Sequence, residues 1–169
     1  MSFVNPPFAR DQAVRGFTVE ENLVLGQTRR GSFGRGGWLR FESIRGNAIR
    51  LLSDFEVPDA GPRDLFRRLP LGARQRIVVA REVMRNPRVL IARSPAQGLS
   101  LEAQEYVRKT LVLQCERGSG LVWLTEEPEE ALRVADRLAV LTAGRLAWLN
   151  VTETLTREAI IDEMSGVAA

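Results

Sequence analysis

The sequence predicts an α/β fold in which a helical lobe precedes a lobe of alternating helices and strands. From residue 73 onward the periodic segments follow the order helix, strand, helix, strand, helix, strand, strand, helix. Strands that alternate with helices usually pair in parallel within one layer. Before residue 73 the apolar residues recur mainly at helical spacing. We therefore expect a helical lobe with an N-terminal loop at residues 1–72 and an α/β lobe at residues 73–169, packed as one compact unit.

The first lobe is predicted to contain two loops and two helices. Residues 1–16 are expected to form a loop, because two adjacent prolines interrupt helical hydrogen bonding. Thr18, with Glu21 three residues later, is a capping-box pattern that begins a short helix. Residues 29–37 are basic and rich in glycine, which indicates a flexible surface loop. Residues 43–55 carry apolar side chains at helical spacing, which predicts a helix packed on one face.

The second lobe is predicted to contain four helices and four strands. The helices are expected at 73–86, 101–117, 128–134 and 155–164, and the strands at 89–92, 121–125, 137–141 and 145–149. The last two strands flank a turn at 142–144 and form a hairpin. The first of these helices is predicted to bury Ile77, Ala80, Val83 and Met84 and to expose Arg74, Arg81 and Arg85. The strand residues expected to be buried are Val89, Leu90, Ile91, Leu121, Val122, Leu138 and Val140.

Composition excludes several classes of chemistry. The 169 residues include no histidine, which removes the commonest metal ligand and every Ser/His or Cys/His nucleophile pair. The one cysteine, Cys115, excludes a disulfide within the chain and is interpreted as a packing residue near a helix end. A net charge of +3 permits a nucleic-acid or anionic-lipid partner but does not argue for one. The sequence contains no run of ~18 apolar residues, which is the length that a membrane span needs. A cytoplasmic chain is therefore expected.

Several collinear segments carry a resemblance to a known family. NPRVLIARSPAQGLS resembles the Walker B strand and D-loop of ATP-binding-cassette (ABC) domains, and LPLGARQRIVVARE resembles their LSGGQ-type signature and the helix after it. VADRLAVLTAGRL resembles their late strand pair. Three further segments resemble the second cassette of ribose- or nucleoside-type importers: FVNPPFARDQAVRGFTVEENLVLG, GGWLRFESIRGNAIRLLSDFEV and TLTREAIIDEMSG. The resemblance covers nearly the whole chain.

The resemblance implies a partial ABC ATPase fold of the P-loop NTPase type. A helical subdomain would be followed by the C-terminal portion of the RecA-like α/β core, without the half that carries Walker A. The matching part begins near the family's Q-loop, whose glutamine aligns loosely with Pro6. A phosphate loop needs glycines and a lysine in the pattern GxxxxGK[ST]. The single lysine, Lys109, has no glycine loop before it, and the glycines at 29–37 have no GK[ST] after them.

The aligned Walker B and switch positions hold residues that do not suit their roles. Walker B needs an aspartate to hold Mg²⁺ and a glutamate to polarise water, and these positions are Arg93 and Ser94. An arginine opposes a cation and a serine is a poor base. Arg93 as an arginine finger is the less favoured alternative. The switch histidine aligns with Glu126, which would repel a γ-phosphate.

The signature and the D-loop are also altered. In the family, the signature of one cassette caps the nucleotide of the other through a serine hydroxyl, glycines and a helix N-terminus. Here the vestigial signature is Leu69, Pro70, Leu71, Gly72 and Ala73, so one glycine and the following helix remain. The vestigial D-loop is Gly98, Leu99 and Ser100, with the serine at the aspartate position. Contact with nucleotide on another chain is therefore the minor alternative.

These features predict a pseudo-ATPase that serves as an interaction module. The nucleotide positions are replaced while the apolar strands persist, and core substitutions usually destabilise a fold by ~1–3 kcal/mol. We expect no catalytic residues, no bound metal and no cofactor, with ATP and Mg²⁺ present only on a partner cassette. The expected partner is another cassette chain or a membrane permease in a hetero-oligomer, because a missing part would leave sheet edges and apolar surface open. The chain would lie in the cytoplasm or at the inner face of the membrane.

Two alternatives remain open. The chain could be half of a split ABC ATPase that contributes in trans to ATP-driven import. It could also be a repurposed structural or nucleic-acid-binding protein that uses an arginine stripe formed by Arg67, Arg68, Arg74, Arg81 and Arg85. The second of these is less favoured, because such residues commonly form a solvated helix face.

Overall fold

A computed structural model describes residues 1–27, 33–35, 38–152 and 154–166. By its internal contacts the chain divides into two compact units, Met1–Val122 and Trp123–Ala169. The predicted boundary at residue 72 separates a helical lobe from an α/β lobe, which is a different division from these two units. It stays a prediction. In chain order the elements of the first unit are β1 (Ser2–Val4), α1 (Val19–Leu23), β2 (Gly34–Arg35), β3 (Trp38–Leu39), α2 (Phe41–Asp54), a 3-10 turn (Phe66–Arg68), α3 (Leu71–Val83), β4 (Val89–Arg93) and α4 (Leu101–Glu116).

Strand β5 (Gly120–Leu124) spans the boundary between the two units. The second unit continues with α5 (Pro128–Val134), β6 (Leu138–Thr142), β7 (Arg145–Leu149) and α6 (Arg157–Ser165). The predicted order of helices and strands from residue 73 onward is confirmed, and the predicted ends agree with the observed ones to within three residues.

The main sheet has three strands in the order β1-β4-β5. β1 pairs with β4 in parallel, with Ser2 opposite Leu90 and Val4 opposite Ala92. The prediction of a loop throughout residues 1–16 is therefore wrong at β1. Three residues are too few to show an alternating pattern, and the strand forms because β4 supplies its hydrogen-bonding partners. Ser2 and Val4 are buried while Phe3 is half exposed, as alternation across a sheet requires.

The N-terminal helix begins at the predicted capping box. The backbone N–H of Glu21 donates to Thr18 Oγ1 at 3.4 Å, and the Glu21 carboxylate accepts from the backbone N–H of Thr18 at 2.7 Å. Val19 and Leu23 are buried, and α1 packs on both α2 and α3. The glycine-rich loop predicted at 29–37 lies mostly outside the described residues. Its described part is instead a short antiparallel pair, with Gly34 opposite Leu39.

Helix α3 is buried around most of its circumference, which corrects its predicted arginine face. Arg81 is 6% exposed, whereas Met84, predicted to be buried, is 36% exposed. The Arg81 guanidinium donates to Glu82 Oε1 at 2.7 Å and to the carbonyls of Gln12 and Asn22. These acceptors compensate for burying the cation. Burial lowers the pKa of Arg81 from its ordinary value, and the contact with Glu82 opposes that effect.

The strand residues divide into buried and open positions. Leu90 is fully buried, and Leu138 and Val140 are buried as predicted. Val89 is 39% exposed and Val122 is 47% exposed, so the prediction of burial is wrong for both. Ile91 and Leu121 are half-buried. Val122 alternates with more covered neighbours along β5. Among the residues that the structure describes, β5 is the outer strand of this sheet and pairs on one side only.

The second unit is a hairpin covered by helices. β6 and β7 pair antiparallel with Leu138 opposite Leu149, as predicted, and Ala143 and Gly144 occupy left-handed conformations in the turn. Its core consists of Leu138, Val140 and Ile160. No helix in the described part of the chain is long and apolar enough to cross a bilayer.

Candidate functional site

The predicted signature segment forms the entry to helix α3. Pro70 is the N-cap residue and provides no side-chain hydrogen bond, so the helix begins at Leu71 with its first amides uncapped by a side chain. Gly72 lies close to α4, because a Cβ built on it would stand 3.5 Å from the Ala103 Cβ. That contact is ordinary van der Waals packing, so this position does not require glycine. Leu69 is buried at the preceding turn.

The predicted D-loop residues form the entry to helix α4. Gly98 has a φ of +74°, a conformation that a side chain would strain. Leu99 is buried and anchors the loop. Ser100 is the N-cap residue of α4, and its Oγ accepts from the backbone N–H of Ala103 at 3.4 Å. The serine therefore has a structural role in starting this helix.

The tertiary structure brings the signature and the D-loop together. Leu69, Pro70, Gly72, Ala73 and Ser100 line one cleft of about 220 Å³. Ligand pockets for small molecules usually measure ~300–1,000 Å³, so this cleft is small for a nucleotide within a single chain. The rest of α3 and the strand β4 lie between the two segments in sequence. Their meeting depends on the packing of α3 against α4.

The charges around this cleft are unfavourable for phosphate. Glu56, Asp59 and Glu102 line it, and its one arginine is Arg76. The Arg76 guanidinium is 3.2 Å from Glu56 Oε2 and 3.8 Å from Glu102 Oε1. It also lies 3.9 Å from the centroid of the Tyr106 ring, whose burial raises the pKa of the phenol. Arg76 is thus engaged by two carboxylates and an aromatic ring of the chain itself.

The predicted Walker B positions lie at the carboxyl end of β4, the middle strand of the sheet. Arg93 is the last residue of the strand and is exposed, while Leu90 and Ala92 behind it are fully buried. Ser94 follows with a φ of +39°, in a left-handed conformation that is uncommon for a residue other than glycine. Ligands of parallel α/β sheets bind at the carboxyl ends of the strands, so Arg93 occupies the position where a cofactor would be held.

Two further predictions concern the switch position and metal binding. Glu126 belongs to the second unit, where it is exposed between β5 and α5. Within the described ranges, no group of three or more His, Cys, Asp or Glu side chains is placed to hold a metal ion. The expectation that the chain holds no metal of its own stays a prediction.

Gln75 was not identified from the sequence, although it connects several of these segments. It is fully buried on α3, and its Nε2 donates to the carbonyl of Asn5 at 3.0 Å and to that of Pro95 at 2.7 Å. Its Oε1 accepts from Gln12 Nε2 at 3.2 Å. The N-terminal loop, the signature helix and the loop after β4 therefore meet at one amide. The signal available in the sequence was an uncharged polar residue on a helix whose other buried positions are mostly apolar.

The sequence is similar to ATP-binding proteins of importers. The nucleoside import ATP-binding protein NupA of Lactococcus lactis subsp. cremoris is 33% identical over 149 residues, which cover 88% of this chain and 29% of the relative. The guanosine import ATP-binding protein NupO of Bacillus subtilis is 32% identical over 146 residues, covering 86% of this chain and 29% of the relative. The glucose import ATP-binding protein TsgD13 of Haloferax volcanii is 30% identical over 172 residues, covering 98% of this chain and 30% of the relative. The chain spans less than a third of the length of each. No protein-family profile matches it.

Solved structures of cassette proteins have a similar fold. An ATP-binding cassette in a dimeric post-hydrolysis state, bound to ADP and Pi, has a TM-score of 0.69 at 23% identity, covering 89% of this chain and 63% of that chain. The ATP-binding subunit of an ABC transporter has a TM-score of 0.73 at 19% identity, covering 96% of this chain and 68% of that chain. At identities this low, the comparison shows a similar fold and nothing about function.

Proposed function

Because the chain is a partial ABC ATPase domain that resembles the ATP-binding proteins of nucleoside and sugar importers, we propose that it is a catalytically inactive part of such a transporter. In this proposal it binds an intact cassette, a membrane permease or both, and it contributes structure rather than hydrolysis. It would act at the cytoplasmic face of the membrane. Any ATP and Mg²⁺ in the assembly would be held by the partner cassette.

The observation that carries this proposal is the position of Arg93. It lies exposed at the carboxyl end of the central strand β4, where the resemblance puts the aspartate that holds Mg²⁺. A guanidinium there repels a divalent cation, and the neighbouring Ser94 has no carboxylate with which to polarise water. The charges around the cleft that the predicted signature and D-loop residues line support the same conclusion. Glu56 and Glu102 stand there beside α3, the helix that would face a phosphate.

A hydrolysis measurement on the assembled transporter tests the inactivity. The complex is purified with wild-type chain, with Arg93→Ala/Ser94→Ala, or with a partner cassette whose own Walker B glutamate is changed to glutamine. We expect the double variant to hydrolyse ATP at the wild-type rate, because its residues take no part in the chemistry. The partner variant should lose activity and shows that the assay reports the working site. A clear fall in kcat for the double variant would contradict the proposal.

Association is tested separately by isolating the tagged chain from its native membranes. We expect a permease and an intact cassette to co-purify at a fixed ratio and to survive a salt wash. Untagged membranes provide the control for adventitious recovery. Isolation of the chain without either partner would contradict a role in a transporter and leave only the fold in common with cassettes.

A split cassette that acts in trans is the second candidate. It is favoured by the meeting of Gly72, Ala73 and Ser100 in one cleft, since both segments would face a nucleotide across a cassette dimer. Titration of the assembled complex with a fluorescent ATP analogue distinguishes the two candidates. A Gly72→Glu variant would weaken nucleotide binding at least about tenfold if this cleft caps a partner's ATP, and would leave it unchanged if the chain is purely structural.

The nucleic-acid alternative loses part of its structural basis. Its arginine stripe required Arg81 at the surface, and Arg81 is buried and bonded to Glu82 and to backbone carbonyls. Arg85 is likewise engaged with Glu82 at 3.0 Å. The remaining arginines do not form the predicted continuous helix face.

A further inference from the structure

A second cleft in the first unit collects arginines instead of carboxylates. Residues from the N-terminal loop, the 3-10 turn and the start of α3 line it, among them Arg10, Arg15, Arg74, Phe8, Phe66 and Leu71. Within the described ranges, none of the three arginines takes part in an ion pair. The carboxylate adjacent to them in sequence, Asp11, accepts a hydrogen bond from Asn5 Nδ2 and does not line the cleft. The cleft therefore carries an uncompensated positive charge.

Arg74 provides an unfilled hydrogen-bonding position at this cleft. Its side chain is half-buried on the first turn of α3, and its Nε is buried without a hydrogen-bond partner in the described part of the chain. Buried donors in folded proteins almost always have an acceptor. Arg74 also lines the cleft, so an anion bound there would lie beside a guanidinium that has an unused donor.

The helix that carries Arg74 adds to the attraction. α3 has 13 residues, and its N-cap Pro70 contributes no side-chain acceptor to the first-turn amides. The N-terminal end of a helix has a partial positive charge and attracts anions. Leu71, the first residue of the helix, lines the cleft, so the helix start borders the same positive region as the arginines. Glu56 and Glu102 line the other cleft at this helix start, so the arginines supply most of the attraction.

The size and the donors of the cleft indicate which anion fits. Its volume is about 140 Å³, which suits a single compact group and not a whole nucleotide. Guanidinium groups bind phosphate oxygens through paired N–H donors, and a phosphate presents more acceptor oxygens than a carboxylate. We propose that this cleft binds one phosphoryl group through Arg10, Arg15 and Arg74. The group belongs to free phosphate or to a phospholipid headgroup, and Phe8, which is 61% exposed at the cleft, suits the second source.

The first experiment measures equilibrium binding of inorganic phosphate to the full chain at constant ionic strength. We expect saturable binding of one phosphate per chain, weakened at least about tenfold by Arg10→Gln, Arg15→Gln or Arg74→Gln. Arg117→Gln is the matched control, because it removes the same charge from an exposed site at the end of α4. Arg10 and Arg15 are exposed, so their variants test the site even where Arg74→Gln unfolds the chain.

Three results of this measurement would overturn the proposal. Binding that does not saturate would show a general attraction of anions. Equal weakening by Arg117→Gln would attribute the binding to net charge. Acetate that displaces phosphate as readily as sulfate does would show that the cleft does not distinguish phosphoryl groups from carboxylates.

The second experiment separates the two sources of the phosphoryl group. The chain is sedimented with vesicles of phosphatidylcholine alone or with added phosphatidylglycerol. A headgroup site predicts co-sedimentation with the anionic vesicles, lost in Arg10→Gln and reduced in Phe8→Ser, whereas Phe8→Ser leaves free phosphate binding intact. Phosphate binding without vesicle binding assigns the site to the free anion. Vesicle binding that is equally sensitive to Arg117→Gln would count against a specific site.

Discussion

At the scale of single residues, Gln75 connects segments that are far apart in sequence. Its amide donates to the carbonyls of Asn5 and Pro95 and accepts from Gln12, and the contacts with Pro95 and Gln12 are buried. A side chain with both a donor and an acceptor is needed for this arrangement. Apolar replacement would preserve much of the volume but leave the carbonyls without donors.

We predict that Gln75→Leu lowers the free energy of unfolding by about 2–4 kcal/mol, because each buried carbonyl left unsatisfied costs ~1–3 kcal/mol. Denaturation in urea, followed by circular dichroism, measures the change. Gln97→Leu is the control, since Gln97 is exposed, and its effect should stay within about 0.5 kcal/mol. Equal stability of the two variants would show that the hydrogen bonds at Gln75 contribute little.

At the scale of secondary-structure elements, the site segments are also helix starts. Ser100, which the resemblance aligns with the D-loop aspartate, caps α4. Serine and aspartate cap helices about equally well, whereas alanine does not. A serine at this position therefore keeps the helix cap without adding a charge.

We predict that Ser100→Ala lowers the free energy of unfolding by about 0.5–2 kcal/mol and that Ser100→Asp leaves it nearly unchanged. Thermal unfolding of the three proteins provides the measurement. A loss of stability in Ser100→Asp similar to that in Ser100→Ala would mean that the neighbouring Glu102 repels the new carboxylate more strongly than the cap stabilises the helix.

A second prediction for α4 concerns pH. Glu105 accepts from Arg108 at 2.5 and 2.9 Å and lies 3.4 Å from the Lys109 Nζ, and the hydrogen bond from Arg108 lowers the pKa of Glu105 from its ordinary 4.5. A carboxylate with a lowered pKa in the folded state contributes stability above its unfolded pKa and loses it as the pH falls through the folded value. We expect Glu105→Gln to be less stable than wild type at pH 7 and equally stable well below pH 4.5.

Unfolding of both proteins across this pH range tests the prediction. Glu116→Gln is the control, because it removes a carboxylate of the same helix that has no described ion-pair partner, and it should not lower stability at either pH. A constant difference between Glu105→Gln and wild type at all pH values would show that ionisation of Glu105 is not responsible.

At the scale of the whole molecule, the two units differ in how much apolar surface they bury. The first unit buries apolar side chains from α1, α3 and β4, among them Val19, Leu23, Ile77, Val79 and Leu90. The buried cluster of the second unit consists of Leu138, Val140 and Ile160. Small cores supply little stabilisation against the loss of chain entropy.

We therefore predict that backbone amides of β6 and β7 exchange with solvent faster than those of the middle of α3. Hydrogen exchange of the full chain, read by mass spectrometry of peptides, measures this difference. An Ile160→Ala variant should increase exchange further in the hairpin and leave α3 unaffected. Equal protection of the hairpin and of α3 in the wild type would contradict the prediction.

By itself the sequence determined the helices, the strands after residue 73 and the resemblance to a partial cassette, and the structure confirms these. Periodicity, caps and turn residues are local properties, so they are visible along the chain. Only the tertiary structure decided that Ser2–Val4 is a strand and that Arg81 is buried. It likewise decided that Gly72 and Ser100 share a cleft while Arg10 and Arg74 share another. Each depends on contacts between residues distant in sequence, which local patterns do not specify.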